Sequence, residues 1–368
     1  MGLLRRFAQV ALVLAALAFF AFAWHCDLAW FERHVFLPQQ FFIVADPRIA
    51  RGARIAAVLL GVLLLLAAPF LPRGAGMRRL ALAAVLALPA TEALLQWRSR
   101  RLLRGDLVAA MDALTSPDPR HGVTLKPSMD REQPMSGRPI RFVTDAERRR
   151  IPGLPIDSAR PSLVFTGEST VAGYGLQWDE TFFALLGDRL HLQVINLASM
   201  NYRLDQSWLR LADQLPRLQH PVAVVGFFMP GLLGRAFAGE AHPLARPRGQ
   251  SVEILQPAKP SFWQRTGFYR LFRHLYWSDA EIEEGTESLS AVLRQMDGLS
   301  RERGIPCVFA VTAHTPRWMI DRLFERNHLD YVVVEVPPGE LLQDGHPNPQ
   351  GSRRIAAAIA VRLQRRLR

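Results

Sequence analysis

Two cysteines in 368 residues, Cys26 at the end of an apolar run and Cys307 inside a predicted strand, leave no disulfide framework and no thiolate cluster for a metal. The chain also lacks a Gly-Lys-Ser/Thr phosphate loop, a dinucleotide-type glycine fingerprint and a His-Glu-x-x-His pair, which removes nucleotide-binding and zinc-hydrolase readings. No Lys/Arg stripe interleaved with aromatics suggests a nucleic-acid groove. The formal charge of +12 does not restore one, because it is unevenly placed. Residues 1–104 hold 13 Arg against 4 acids, +9, and leave only +3 for the other 264. At 49% hydrophobic and 21% charged, the chain is too apolar for a disordered polymer and long enough for a sizeable core.

The basic excess flanks apolar runs, as membrane anchoring requires. Phe7 to Trp24 is uncharged over 18 residues, close to the ~20 that a helix needs to cross the hydrocarbon core. Ala21-Phe22-Ala23 also resembles a small-x-small cleavage site, but the length of the run favours an uncleaved anchor. Ile55 to Leu71 is a second candidate span. Leu80 to Trp97 is a third, weakened by Pro89, Glu92 and Gln96. Residues 1–104 are therefore expected to form a membrane region with two to three transmembrane helices, about 7–24, 55–71 and 80–97. With the N-terminus cytoplasmic, Arg73, Arg78 and Arg79 fall inside and three crossings put the remainder outside. The expectation is a multi-pass membrane protein, its partner the lipid bilayer, with an extracytoplasmic C-terminal domain. Arg48, Arg51, Arg54 and the arginines from 98 to 104 stand against that sidedness.

Residues 105–160 show little periodicity and many turn formers, and read as a connecting segment. Arg148-Arg149-Arg150 within it reads as a solvated face. From residue 161 the pattern changes to short apolar β-branched runs alternating with amphipathic stretches. Strands are predicted at Leu163–Phe165, Leu192–Ile195, Val222–Phe228, Cys307–Val311 and Tyr331–Val334. Helices are predicted near 181–190, 204–215, 287–303, 318–326 and 349–367. Such alternation argues a parallel sheet covered on both faces, whose ligand site lies at the carboxyl ends of its strands. An insertion rich in Pro, Gly and Arg occupies 235–265. The aromatic cluster Phe262-Trp263, Phe268-Tyr269, Phe272 and Tyr276-Trp277 follows it, a core element or, beside a membrane, an apolar wall or lipid-docking patch.

Chemistry is expected in two loops. After the first strand the chain reads Gly167-Glu168-Ser169-Thr170-Val171, where a serine at a strand end can present its hydroxyl over the sheet edge. That hydroxyl is a weak nucleophile unless a base takes its proton. After the last strand, Asp344-Gly345-His346-Pro347-Asn348 delivers an imidazole and a carboxylate at the same edge, just before a helix. Each loop alone is ordinary turn chemistry; together they specify serine, histidine and acid. The five-residue Gly-x-Ser-x-Gly elbow fails, since Val171 stands where its second glycine belongs.

Gly167-Glu168-Ser169, Asn196-Leu197-Ala198 and Asp344-Gly345-His346-Pro347-Asn348 resemble the first, second and fifth sequence blocks of SGNH/GDSL hydrolases, over about residues 161–368. The Lys126-Pro127 to Asp145 stretch resembles the lead-in of membrane-anchored members. The resemblance implies a three-layer α/β/α flavodoxin-like domain with a parallel sheet, with Ser169 as nucleophile, His346 as base and Asp344 orienting it. It also implies the backbone N–H groups of Ser169 and Ala198 as oxyanion donors, with Gly167 at the same site, Asn201 or Asn196 as the candidates to stand in for the third-block asparagine, and no metal or other cofactor. The implied activity is that of a membrane-anchored serine esterase or O-acyltransferase on an acyl ester of a cell-envelope lipid or glycan. Departures from the pattern are Glu168 for an aspartate, Ala198 for a glycine, Gln343 where the acid usually stands, and Gly226 to Gly231 without the third-block asparagine. They keep open a catalytically weakened binding or scaffold protein on the same fold.

Overall fold

The computed structural model describes residues 2–37, 46–72, 75–102, 112–235, 244–248, 251–255 and 261–367. The chain divides into two compact units: a helical one, residues 1–37, 45–103 and 260–277, and an α/β one formed by the rest. Parts of the 235–265 insertion lie outside the described residues.

The helical unit contains α1 (Gly2–His25), α2 (Pro47–Ala67) and α3 (Ala75–Leu102). Leu, Val and Ala recur around α1 and α2 without a polar stripe, so both leave large apolar side chains such as Leu14, Leu17, Leu59 and Leu63 exposed. Two helical stretches, Arg5–His25 and Pro47–Phe70, are long and apolar enough to cross a membrane. At 1.5 Å per residue they run about 32 and 36 Å. They lie antiparallel: Arg5 Nη2 donates to the Pro69 carbonyl (2.9 Å) at one end, and Arg54 Nε to the Ala23 carbonyl (2.8 Å) at the other. Gly61 makes room for the Phe20 ring between them; a Cβ there would lie 2.8 Å from it. The third expected run, 80–97, is helical within α3 but does not meet the same length and apolarity measure.

The aromatic segment 261–277 folds with these helices. Its helix α4 (Gly267–Leu275) starts against Glu92 of α3, whose two carboxylate oxygens accept from Gly267 N (2.6 Å) and Phe268 N (3.0 Å). An acid that looked costly in an apolar helix thus satisfies two orphan helix N–H groups. Tyr276 stacks on Trp30 (5.8 Å between centroids), and Trp277 N donates to the His34 carbonyl (2.9 Å). Phe262 and Trp263, 87% and 59% exposed, are not core.

The α/β unit is built on an eight-stranded sheet of strands 331–334, 307–312, 221–228, 162–166, 193–196, 150–151, 138–144 and 130–135, in that spatial order. Its strands β6 (Ser162–Thr166), β7 (Gln193–Asn196), β8 (Pro221–Phe228), β11 (Cys307–Thr312) and β12 (Tyr331–Val334) are mutually parallel. In chain order these five give 2-1-3-4-5, the flavodoxin-like arrangement. β6, β8 and β11 are buried almost throughout, as continuous apolar runs in a parallel sheet must be. Helices α5 (Phe182–Leu190) and α8 (Pro349–Arg366) pack together, as do α6 (Leu204–Gln214) and α7 (Asp279–Glu302), giving a layer on each face. Cys307 is free and buried, and burial pushes its thiol pKa up.

The sheet is mixed, not wholly parallel. The stretch expected to be a connecting segment supplies three antiparallel strands, β3 (Asp130–Met135), β4 (Arg138–Thr144) and β5 (Arg150–Ile151), with β5 pairing beside β7. It also forms a separate hairpin of β1 (Thr115–Asp118) and β2 (Gly122–Leu125). A third hairpin, β9 (Leu244–Arg248) with β10 (Ser251–Leu255), lies in the insertion. Arg150, read from sequence as solvated, is 1% exposed. Its guanidinium lies 4.3 Å over the Phe142 ring and donates to the carbonyls of Ala172 (2.8 Å), Gly173 (2.6 Å) and Leu176 (2.6 Å). Burial pushes its pKa down to about 9, partly offset by the Glu180 charge, so it stays a cation at neutral pH.

Candidate active site

Ser169 opens a single helical turn, Ser169–Ala172, at the carboxyl end of β6, beside the point where the strand order reverses. Glu168 is the N-cap: its Oε1 accepts from Thr170 N (3.0 Å). Gly167 is required by packing, because a Cβ there would collide with the Val171 side chain. Gly173 ends the turn at φ +76°, where a side chain would also strike the Arg150 guanidinium. The loop is thus fixed from both sides, and Ser169 is 8% exposed.

His346 arrives from the opposite end of the chain, and its Nε2 lies 2.8 Å from Ser169 Oγ. The other ring nitrogen, Nδ1, is 3.1 Å from Asp344 Oδ1, which also accepts from His346 N at 3.2 Å. The five residues behind this geometry have separate local duties. Gly345 turns at φ +88°, Leu342 N donates to the His346 carbonyl (2.7 Å), and Pro347 bridges to Leu341. Asn348 caps α8, its Oδ1 accepting from Gln350 N (2.8 Å) and Gly351 N (3.1 Å), and Pro349 takes the first helical position. Tyr174 lies against the imidazole with ring centroids 4.5 Å apart.

Burial alone would raise the Asp344 pKa, but the hydrogen bonds and charge of His346, with a hydroxyl donated by Ser136, outweigh it and hold it at about 2. Asp344 is therefore an anion at any pH near neutrality, and with Nδ1–H directed to it, Nε2 is left as an acceptor facing Ser169. Glu168 Oε2 also accepts from Ser169 Oγ. One hydroxyl proton thus faces two acceptors, of which only the imidazole has a carboxylate behind it.

The remaining residues singled out from sequence are placed differently. Asn196 is buried and spends its amide on the scaffold: Nδ2 donates to the Val171 carbonyl (2.7 Å), and Oδ1 accepts from Ala198 N (2.9 Å). The Ala198 N–H expected to face an oxyanion is therefore engaged in an Asx turn, and Asn196 is a brace rather than a free donor. Asn201 occupies the left-handed region at φ +59°, which asparagine tolerates, and is exposed; none of the described hydrogen bonds joins it to the Ser169 cluster. The Gly167 carbonyl accepts from Ser199 N (3.4 Å). After β8 the chain reads Met229-Pro230-Gly231, so no amide side chain enters there. Ser169's own backbone N–H, at the start of its helical turn, has no acceptor among the described residues. His314 follows β11, with Nε2 3.5 Å from Thr312 Oγ1.

Sequence reasoning missed Ser136 and Arg150. Nothing local marks Ser136, which lies 208 positions from Asp344. The engagement of Ala198 was open to inspection, since Asn-x-x turns at strand ends commonly take the N–H two residues on.

No protein-family model matches the chain, and no curated protein does. Among solved structures it is similar to an acetyl xylan esterase from the rumen bacterium Butyrivibrio proteoclasticus at 10% identity and a TM-score of 0.37, spanning 58% of this chain and 65% of that one. It is similar to a protein described as lipolytic, of the G-D-S-L family, from Desulfitobacterium hafniense at 15% identity and 0.34, over 55% and 98%. It is also similar to a salicylyl-acyltransferase from a tetracycline biosynthetic pathway at 14% identity and 0.32, over 57% and 56%.

Proposed function

We propose that this chain is a membrane-anchored serine ester hydrolase or O-acyltransferase of the SGNH type, acting on an acyl ester of a cell-envelope lipid or glycan. The observation that carries the chemistry is the 2.8 Å approach of His346 Nε2 to Ser169 Oγ, with Asp344 behind the ring. The two long apolar helices support the anchor. In this reading Ser169 Oγ attacks the ester carbonyl carbon as its proton passes to His346 Nε2. Asp344 holds the ring tautomer and stabilises the imidazolium without taking the proton. The negative oxygen of the tetrahedral intermediate is met by the Ser169 N–H. Collapse breaks the bond to the leaving alcohol, which takes the proton from His346. Water, or an acceptor hydroxyl, then gives its proton to His346 and attacks the acyl carbonyl carbon. The bond from that carbon to Ser169 Oγ breaks, His346 returns the proton to Oγ, and the acyl group leaves on the acceptor oxygen.

The test is labelling of the full chain in detergent by a fluorophosphonate probe. Labelling of the wild type, its loss in Ser169→Ala and a drop of about 1000-fold or more in esterase turnover support the reading. A folded wild type that never labels overturns it.

A second reading, a catalytically weakened binding or scaffold protein of the cell envelope, is favoured by one observation: the Ala198 N–H is already donated to Asn196. Loss of one oxyanion donor costs on the order of 100- to 1000-fold in turnover. That reading expects labelling of Ser169 without measurable turnover.

A further inference from the structure

Resting on the reading just given, we infer that the β3–β4 hairpin belongs to the acid–base apparatus, with Ser136 as the positioning residue that fixes the Asp344 carboxylate. Asp344 stands only two residues before His346, and a single oxygen, Oδ1, meets both the backbone N–H and Nδ1 of His346. Those contacts leave Oδ2 free to swing about the side-chain bond. Ser136 Oγ closes that freedom by donating to Oδ2, while the Tyr174 ring lies against His346. Hydroxyl, carboxylate, imidazole and serine therefore form one continuous chain of contacts.

The hairpin is fastened to the segment that follows the nucleophile. Arg138 Nη1 donates to the Gly175 carbonyl (3.1 Å), and Nη2 reaches both oxygens of Glu180 (2.8 and 2.9 Å). Gln177 accepts from Arg141 N (3.2 Å) and donates to the Pro139 carbonyl (3.0 Å). A Cβ added at Gly175 would lie 2.5 Å from Leu342 on the base loop and 3.9 Å from the Ser136 side chain. The hairpin tip thus stands where the nucleophile loop and the base loop converge, and it touches the acid of one while being tied to the other. An ordinary surface turn needs none of these ties. The two-residue loop Ser136-Gly137 takes positive φ at both positions (+47° and +74°), as tight hairpins do, and that turn carries the Ser136 hydroxyl to Asp344.

Because that conformation disfavours most side chains, the informative variants are Ser136→Gly and Ser136→Asn. Both tolerate positive φ, but only asparagine keeps a donor. In p-nitrophenyl acetate hydrolysis, Ser136→Gly should lower kcat about tenfold, as loss of one hydrogen bond to a charged group implies. KM and thermal midpoint should stay near wild type, and Ser136→Asn should recover part of kcat. The low-field proton resonance of the His346 Nδ1–H bonded to Asp344 gives a readout that needs no turnover. It should exchange faster with water in Ser136→Gly and slow again in Ser136→Asn. An unchanged resonance in Ser136→Gly overturns the inference whatever the activity. So does a kcat loss shared equally by both variants. Failure of the wild type to label with a fluorophosphonate overturns the esterase reading instead, and leaves the resonance comparison to judge Ser136.

Discussion

The helical unit and the α/β unit solve the same problem, apolar surface joined to obligatory polar groups, in opposite directions. In α1 and α2 the large apolar side chains face outward, and the charged groups Arg5 and Arg54 bond main-chain carbonyls at helix ends. In the α/β unit the apolar runs of β6, β8 and β11 face inward. There Arg150 and Arg210 enter the interior, and their terminal nitrogens too donate to carbonyls: Arg210 Nη2 to Glu147 (3.0 Å) and Arg148 (2.8 Å), with Nη1 on Thr124 Oγ1 and Nε without a partner among the described residues. Hydrophobicity decides which way each unit turns. In both, an arginine is tolerated because its planar fork can collect orphan carbonyl oxygens.

Arg150 offers the sharpest way to test that contrast. Replacing it with Met keeps volume and stem packing but leaves the carbonyls of Ala172 and Leu176 buried without their donor, while that of Gly173 keeps only Leu176 N at 3.3 Å. Each such group costs about 1–3 kcal/mol, so Arg150→Met should destabilise the α/β unit by about 3 kcal/mol or more and remove Ser169 labelling. The circular-dichroism signal and detergent-embedded fraction of the helical unit should be unchanged. Equal loss in both units would show that they do not fold as separate bodies.

The strands that position Ser169 and His346 were legible because parallel, doubly covered strands have no polar face to obscure them. Leu163-Val164-Phe165 announces itself, with the Ser169 loop at its carboxyl end. Tyr331 to Val334, a half-buried edge strand, is still an unbroken, mostly β-branched run, and the His346 loop lies beyond it. The hairpin that carries Ser136 was not legible. β3 reads Asp-Arg-Glu-Gln-Pro-Met, mostly exposed at the sheet edge, and Pro134 pairs opposite Pro139, where donors are not needed. Arg150 was misread because a run of three arginines looks solvated until its third member meets a loop more than 20 residues away. Asn196, Asn201 and Ala198 were placed by resemblance, and the local competition of an Asx turn determined what Asn196 and Ala198 actually do.

Glu92 tests the other half of the contrast, with a smaller effect. Its carboxylate caps α4, and Gly267 brings that helix end so close that a Cβ would lie 2.7 Å from Leu95. Glu92→Ala should cost about 1 kcal/mol, the usual value of a charged group at a helix N-terminus. Residues 261–277 should become more sensitive to protease in detergent. Fluorophosphonate labelling of Ser169 should stay at the wild-type level; a fall in labelling would show that the helical unit reaches the reactive serine.

The smallest effect is expected from pH, and it belongs to the α/β unit alone. Asp344 is held at about 2 in the folded chain, below the ~3.9 of a free aspartate. A carboxyl depressed on folding contributes stability that is fully present above the unfolded value and disappears as pH falls through the folded one. In urea titrations, wild type should therefore exceed Asp344→Asn at about pH 5, and the margin should shrink as pH falls through about 4 and be largely lost by about pH 2. Solvent screening at this half-exposed group keeps the margin near 1 kcal/mol or less. Closure already complete near pH 4 would mean that His346 and Ser136 do not hold the carboxylate, and the chain of contacts from the hairpin to Ser169 would lose its middle member.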